Sequence, residues 1–320
     1  MARYLVTGGS GFIGSHIAAA LCAQGDSVRI LDNFSTGNRE NLQAAPGAEV
    51  IEGDIRSYHI VREAVEGCDI VLHQAALPSV PRSVKDPITS NEVNVVGTLN
   101  VLDAARDAKV SRLVYASSSS VYGQNPALPK REEMTPQPMS PYAVSKLAGE
   151  HYCRAFFDLY GFETVALRYF NVFGPRQDPN SQYSAVIPKF VDRLLRGASP
   201  VVNGDGSQTR DFTFVDNVVQ ANLKAATASG APGQVFNIAA GQRYSLLDLL
   251  AELERITGQK ARPEFNSSRV GDVPHSYADI SAAMQALGYE PSVGFQQGLE
   301  STVHTMRDIH EGRVGRPSTR

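Results

Sequence analysis

Tyr142 and Lys146 stand four residues apart in the run Tyr142-Ala143-Val144-Ser145-Lys146. On a helix that spacing puts a phenol and an ammonium on one face. A neighbouring ammonium favours the phenolate, lowers the phenol pKa and makes the tyrosine a usable base. Upstream, Ser117-Ser118-Ser119-Ser120 follows the apolar run Leu113-Val114-Tyr115-Ala116 and offers hydroxyls to the same substrate oxygen. Tyrosine and lysine at this spacing are common, and by themselves they are most often structural. They gain weight from the company they keep, a glycine-rich turn near the N-terminus and a serine-bearing strand end.

That turn is Thr7-Gly8-Gly9-Ser10-Gly11-Phe12-Ile13-Gly14, which follows an apolar run and opens a helical one. Its GxxGxxG spacing is a variant of the dinucleotide-binding fingerprint. Gly8 serves the tight turn, Gly11 the close approach of a pyrophosphate, and Gly14 the packing of helix on strand. The helix N-terminus supplies free N–H groups for the anion. Asp32 ends the next apolar run, where a carboxylate hydrogen-bonds adenosine ribose hydroxyls and repels a 2′-phosphate, favouring NAD over NADP. Arg39 could weaken that preference, but reads more simply as a solvated surface charge. Asp54-Ile55 and Gln74-Ala75-Ala76 follow two further runs, at strand ends where open α/β sheets bind ligands.

These groups need elements to hold them. Residues 4–7, 27–31, 48–51, 69–73, 112–117 and 163–168 read as strands, with helices over 12–22, 89–108 and 141–160. The alternation predicts an α/β fold, a doubly wound parallel Rossmann sheet over about 1–170 whose core continues into parts of the second half. Past Asn171 the pattern loosens. Helices are expected at 187–196, 215–228, 245–257 and 280–287, with short strands near 200–202, 212–214 and 235–238. This is a smaller α/β substrate-binding region over 171–311, followed by a tail from Gly312 to Arg320.

The 320-residue chain carries 30 Lys and Arg against 33 Asp and Glu, so nothing in its charge invites nucleic acid or a membrane surface. No apolar run approaches the ~18 residues of a spanning helix. Met1 leads directly into a strand-like run, and the three scattered cysteines fit buried thiols in a reducing, cytoplasmic setting. The seven histidines show no metal-ligand spacing, so no metal is expected. His16, His59, His73, His151, His304 and His310 read as structural or solvated.

The glycine turn, the Ser118 strand end and the Tyr142/Lys146 pair resemble the extended short-chain dehydrogenase/reductase family over nearly the whole chain, and within it the nucleotide-sugar 4-epimerases. The resemblance implies NAD as cofactor and Ser118, Tyr142 and Lys146 as the catalytic set. Tyr142 takes the sugar C4 hydroxyl proton, the C4 hydride passes to NAD, the 4-keto sugar turns over, the hydride returns to the opposite face of C4, and Tyr142 returns the proton. Lys146 would also hold the ribose hydroxyls. NAD contacts are implied at Gly8, Gly11, Phe12, Ile13, Asp32, Asn33, Ser35, Thr36, Gly37, Asn38, Asp54, Ile55, Gln74, Ala75, Ala76, Pro78, Ala116, Tyr169, Asn171 and Val172. Asn94 would support this network, or is simply a packing or capping amide.

Arg168-Tyr169-Phe170-Asn171-Val172-Phe173-Gly174-Pro175 resembles the family stretch between nicotinamide and substrate phosphates. Arg210-Asp211-Phe212 and Arg269-Val270-Gly271-Asp272 resemble later substrate motifs, whose arginines would clamp a pyrophosphate. Further substrate contacts are implied at Ser79, Arg82, Ser83, Ser117, Ser119, Gln177, Ala185, Val186, Ile187, Val201, Val202, Asn203, Asp272 and Ser276. Dehydratase and decarboxylase relatives carry an acid just after the active-site hydroxyl; here Ser119 and Ser120 stand there, which leaves simple 4-epimerisation.

The segments 77–83 and 176–180 resemble epimerases of UDP-N-acetylglucosamine. Glucose-restricted members carry an aromatic gate where this chain has Ser276, and a small gate leaves room for a 2-acetamido group. The expectation is therefore a UDP-N-acetylglucosamine 4-epimerase that also takes UDP-glucose. A UDP-glucuronate 4-epimerase is the rival, with Arg82 available to a carboxylate. A non-catalytic NAD-binding sensor is the reading from another class, although such proteins commonly lose the Tyr or Lys present here. Relatives pair the helices at 89–108 and 141–160 into a four-helix homodimer interface, to which Phe156, Phe157 and Leu159 could contribute.

Overall fold

A computed structural model describes residues 1–179, 185–267 and 274–313. The chain opens with β1 (Arg3–Thr7), α1 (Phe12–Ala23), β2 (Ser27–Asp32), β3 (Glu49–Glu52), α2 (Tyr58–Val65) and β4 (Ile70–His73). Next come α3 (Val80–Lys85), α4 (Pro87–Asn91), a π-helical turn (Glu92–Val96), α5 (Gly97–Asp107), β5 (Arg112–Ser118), α6 (Pro141–Tyr160) and β6 (Glu163–Tyr169). The second half holds β7 (Val172–Phe173), α7 (Val186–Leu195), β8 (Val201–Asn203), β9 (Thr209–Arg210), β10 (Thr213–Phe214) and α8 (Val215–Thr227). It closes with β11 (Val235–Ile238), β12 (Tyr244–Ser245), α9 (Leu246–Thr257), β13 (Glu264–Asn266), α10 (Ser281–Leu287) and α11 (Phe295–His310).

The main sheet has seven parallel strands in the order β11-β6-β5-β4-β1-β2-β3. The chain builds outward from β1 through β2 and β3, then crosses to β4 and builds the other way. The order reverses between β1 and β4, so the carboxyl ends of those strands flank the crevice where such sheets take ligands. Alternation along the strands sends Val6, Ile30, Leu72 and Val114 to one apolar layer and Leu5, Leu31, Val71 and Leu113 to the other. A third apolar cluster, around Phe173, Phe190, Phe212, Leu249 and Phe295, belongs to the second half.

Two expectations need revision. Residues 235–238 are not part of the smaller region: β11 pairs with β6 as an edge of the main sheet, and α8 packs on α1. The helix expected over 89–108 is present as one unbroken helical run from α4 into α5, with a π-helical turn at Glu92–Val96 inside it. The sixteen-residue α11 goes beyond the helices expected from the sequence. Its buried positions Phe295, Gly298, Leu299, Thr302 and Val303 follow a helical period, but Gly and Thr fill two of them and mute the pattern. At Gly298 a Cβ would lie 2.6 Å from the Phe214 ring, so only glycine fits there. Of the tail expected from Gly312, residues 314–320 lie outside the described residues.

Candidate active site

The glycine turn is built as its spacing requires. Gly8 has φ +69°, and a Cβ there would stand 2.8 Å from the Ala75 backbone. At Gly14 a Cβ would lie 2.2 Å from the Gly8 carbonyl oxygen, so α1 rests directly on the turn. Asp32 holds this turn: its carboxylate accepts from the Ser10 N–H at 2.9 Å and the Phe34 N–H at 2.8 Å. Each carboxylate oxygen has two lone pairs, so capacity remains for a ribose hydroxyl. Asn38 caps the short helical turn Arg39–Ala44, and its N–H reaches back to the Ser10 carbonyl at 3.0 Å. Ser10 Oγ is buried without a protein partner. The backbone cradle, the acid at the second strand end and this orphaned hydroxyl fit a dinucleotide. Arg39 is committed to Glu52 at 2.6 Å, away from a 2′-phosphate role.

Below the crevice runs a fully directed hydrogen-bond chain. The Ala75 N–H donates to Thr7 Oγ1 at 3.2 Å, and Thr7 Oγ1 meets His73 Nδ1 at 2.7 Å. His73 Nε2 meets Thr98 Oγ1 at 3.0 Å, and Thr98 donates to the Asn94 carbonyl at 2.7 Å. Because the Thr98 proton is spent on Asn94, His73 must donate from Nε2 and accept at Nδ1 from Thr7. Burial holds its pKa down to about 3, with the Lys146 charge adding to the effect. Asn94 sits in the π-helical turn. Its side chain accepts from the Leu77 N–H at 2.7 Å and donates to the Leu77 carbonyl at 3.1 Å and to Ser145 Oγ at 3.1 Å. This amide thus ties the loop at Leu77 to α6 through Ser145.

Ser140 and Ser83 together start α6. Ser140 Oγ accepts from the Ala143 N–H at 3.2 Å, and Ser83 Oγ accepts from the Tyr142 N–H at 3.0 Å. Tyr142 is partly exposed at the crevice, whereas Lys146 is buried. The Lys146 ammonium donates to the Ala116 carbonyl at 2.8 Å, and burial lowers its pKa to about 8. Burial raises the Tyr142 pKa, and a hydrogen bond with Ser118 opposes that rise. The Lys146 ammonium spends its hydrogen bond on β5 rather than on the Tyr142 phenol.

The remaining expected contacts divide between cleft and core. A cleft of about 270 Å³ is lined by Asn171, Val172, Ala185, Val186, Ile187, Val201, Asn203 and Arg210 among the expected residues. Phe173, Gln208, Phe212 and Leu246 complete it. Phe212 could have been taken from its place beside Arg210; Leu246 carried no signal. Asn171 adopts φ +32° and points Nδ2 toward Ser276 Oγ, 3.5 Å away. Asp211 is buried and accepts from the Ala240 N–H at 3.0 Å and the Ala278 N–H at 3.3 Å, tying the segment that bears Ser276 to the end of β11. Gln177 Nε2 donates to the Val172 carbonyl at 3.3 Å. Ser79, at φ +102°, caps α3 by accepting from the Arg82 N–H.

Three expected substrate contacts face away from the cleft. Ser117 is 3% exposed and its hydroxyl donates to Glu150, because strand alternation sends it under α6 while Ser118 stands at the strand end. Val202 is fully buried between its cleft-lining neighbours Val201 and Asn203 for the same reason. Ser83 is fully buried as a helix cap. Tyr169 is buried with its hydroxyl on Gln74 and Asn222, both at 3.1 Å, and Ile55 belongs to the core. Arg269 and Asp272 lie outside the described residues, as does Asn180. Among the described residues there is no cluster of metal-ligating side chains, and no helix is long and apolar enough to cross a membrane.

A family model described as the NAD dependent epimerase/dehydratase family matches residues 4–239. The chain is 40% identical to a UDP-glucose 4-epimerase of Mycolicibacterium smegmatis, over 96% of this chain and 99% of that one. Among solved structures it is similar to a UDP-glucose 4-epimerase from Thermotoga maritima with UDP-glucose, with TM-score 0.93 and 36% identity over 96% of this chain and 99% of that one. It is similar also to a UDP-N-acetylglucosamine 4-epimerase from Methanobrevibacter ruminantium in complex with UDP-N-acetylmuramic acid. There the TM-score is 0.91 and the identity 39%, over 95% of this chain and 98% of that one.

Proposed function

The chain belongs to the NAD-dependent epimerase/dehydratase family, and from that premise we propose that it interconverts UDP-N-acetylglucosamine and UDP-N-acetylgalactosamine, and also UDP-glucose and UDP-galactose. It is an isomerase, an NAD-dependent UDP-sugar 4-epimerase. The observation that carries the choice of sugar is Ser276. It stands 3.5 Å from Asn171, which lines the cleft, and its side chain is only a hydroxymethyl. A pocket excludes bulk by steric clash, whereas unfilled space costs only about 1–3 kcal/mol per missing methylene. A small gate is therefore compatible with both sugars.

Bound in the glycine cradle, NAD supplies the reversible hydride acceptor for C4. The chain's own residues do the rest. Tyr142 takes the C4 hydroxyl proton and returns it after the sugar has turned over, and Ser118 shares its hydrogen bond. Lys146 and Asn94 hold the ground on which Tyr142 stands. Arg210, whose guanidinium is steadied by the Thr209 and Pro274 carbonyls at 2.9 and 3.0 Å, serves the diphosphate at the mouth. Arg269 and Asp272 would join it.

The enzyme acts as a cytoplasmic homodimer in this reading. Val84 (65% exposed), Ile88 (72%) and Val144 (52%) lie on α3, α4 and α6, which pack on one another. Such apolar exposure on adjoining helices suits a second copy. Of the residues named for that contact, Leu159 is exposed, while Phe156 is a core residue.

The test is turnover of UDP-N-acetylglucosamine, UDP-glucose and UDP-glucuronate side by side, with the C4 configuration read by proton NMR. Conversion of the first two is expected. Conversion of UDP-glucuronate alone would promote the uronate reading, and no epimer from any of them would sink the proposal.

A further inference from the structure

We propose that the buried ion pair between Glu150 and Arg168 is the positioning device of the active site, setting the separation of Tyr142 from Ser118. The inference rests on the epimerase reading of those two residues.

Tyr142, Lys146 and Glu150 follow one another at four-residue steps on α6 and share a face. Glu150 is the member farthest from the crevice, and both it and Arg168 have side chains only 4% exposed. The pair is bidentate, with Arg168 Nε on Oε1 at 2.9 Å and Nη2 on Oε2 at 2.8 Å. The same Oε1 accepts the hydroxyl of Ser117, the residue before Ser118. Ser117 on β5 and Arg168 on β6 are register partners. One carboxylate from the catalytic helix thus grips both strands where they reach the crevice.

Arg168 is itself fixed from behind. Its Nη1 donates to Tyr122 Oη at 2.8 Å, its guanidinium lies 4.7 Å from the Tyr122 ring centre, and Tyr122 donates to Asn237 Oδ1 on β11 at 2.7 Å. Every charged group here has partners, so the arrangement is stiff in direction as well as distance. Stability alone is a poor reason for it, because apolar residues of similar volume often serve a core at least as well as a buried ion pair. A rigid fork between helix and strand ends gives what packing alone does not, a single fixed offset between phenol and hydroxyl. Misplacement by ~1 Å costs on the order of 10²-fold in rate.

The test replaces both charges together, Glu150→Met with Arg168→Met, since removing one would strand the other in the core. The expected variant melts cooperatively and binds UDP within about threefold of wild type, with KM held and kcat down by about 10²-fold. Wild-type kcat in a folded double variant would overturn the proposal. Ser117→Ala is the second arm, since it cuts the link to β5 and leaves the ion pair intact. A loss of kcat at constant KM is expected, and wild-type kcat there overturns the proposal even if the double variant does not fold. A crystal structure of Ser117→Ala needs no turnover: a shift of the β5 end against α6 by more than ~0.5 Å is expected, and an unmoved strand counts against the idea. Absence of epimerisation by the wild type would strike the functional reading, and the strand offset would still decide this one.

Discussion

The Lys146 ammonium lies 6.0 Å from the centre of the Tyr142 ring, although the two residues are one helical turn apart on α6. Its hydrogen bond goes to Ala116 on β5 instead. The polar contact on the Tyr142 phenol comes from Ser118. Tyr142 is therefore set by its own helix and by the end of β5, with Lys146 bracing the two.

If Tyr142 is the acid–base group, Tyr142→Phe removes one oxygen and little else. Turnover should fall by about 10³-fold, within the usual contribution of a positioned acid–base group. UDP affinity and melting temperature should stay near wild type. An active Phe variant would remove Tyr142 from the mechanism.

Ser276→Tyr places an aromatic at the gate. The rate constant kcat/KM for UDP-N-acetylglucosamine should drop by about 10²-fold, while UDP-glucose changes by only a few-fold. Competition assays with both sugars measure the ratio directly. Equal losses on both would show that position 276 does not face the 2-substituent.

His73 gives a pH prediction. Its folded pKa of about 3 lies below its ordinary value of 6.5, so the unfolded chain binds the extra proton as pH falls. The stability tied to neutral His73 is complete above about pH 6.5 and is lost progressively toward pH 3, at about 1.4 kcal/mol per pH unit. Glutamine can accept from Thr7 and donate to Thr98, so His73→Gln keeps the chain of bonds without the titration. Urea unfolding from pH 4 to 7 should show wild type losing stability more steeply than the variant. Parallel curves would contradict the assignment. Because the measurement is a difference, His16, whose pKa burial takes to about 4, and Asp211, which burial raises to about 7, largely cancel from it.

Ile88→Glu combined with Val144→Glu puts charge on two of the most open apolar positions of α4 and α6. Light scattering should report a dimer for wild type and a monomer for the variant at micromolar concentration. A monomeric wild type would leave that apolar face without the proposed partner.

The parts of this site that were legible in the sequence are local. The glycine turn is written in eight consecutive residues, and α6 begins and ends at the residues its pattern marks, with Pro141 at its start and Gly161 beyond its end. What escaped depends on contacts between distant segments. The Glu150–Arg168 pair needs a helix and a strand brought together in one register. The facing of Ser117 and Val202 turns on a single step of strand alternation, which a run of serines or valines does not reveal. The π-helical turn at Asn94 has no signature in Glu92-Val93-Asn94-Val95-Val96, whose apolar spacing suits an ordinary helix equally well.

The edge strand β11 sets a limit on how this fold can be recombined. Val235–Ile238 completes the sheet beside β6, and α8 covers the layer on α1, yet both lie between stretches that line the cleft. A chimaera joined once near residue 170 would import a foreign edge strand and a foreign helix into the dinucleotide half. Grafting another relative's sugar preference onto this chain calls for a patchwork: exchange of the cleft-lining loops on either side, with α8 and β11 kept as native framework.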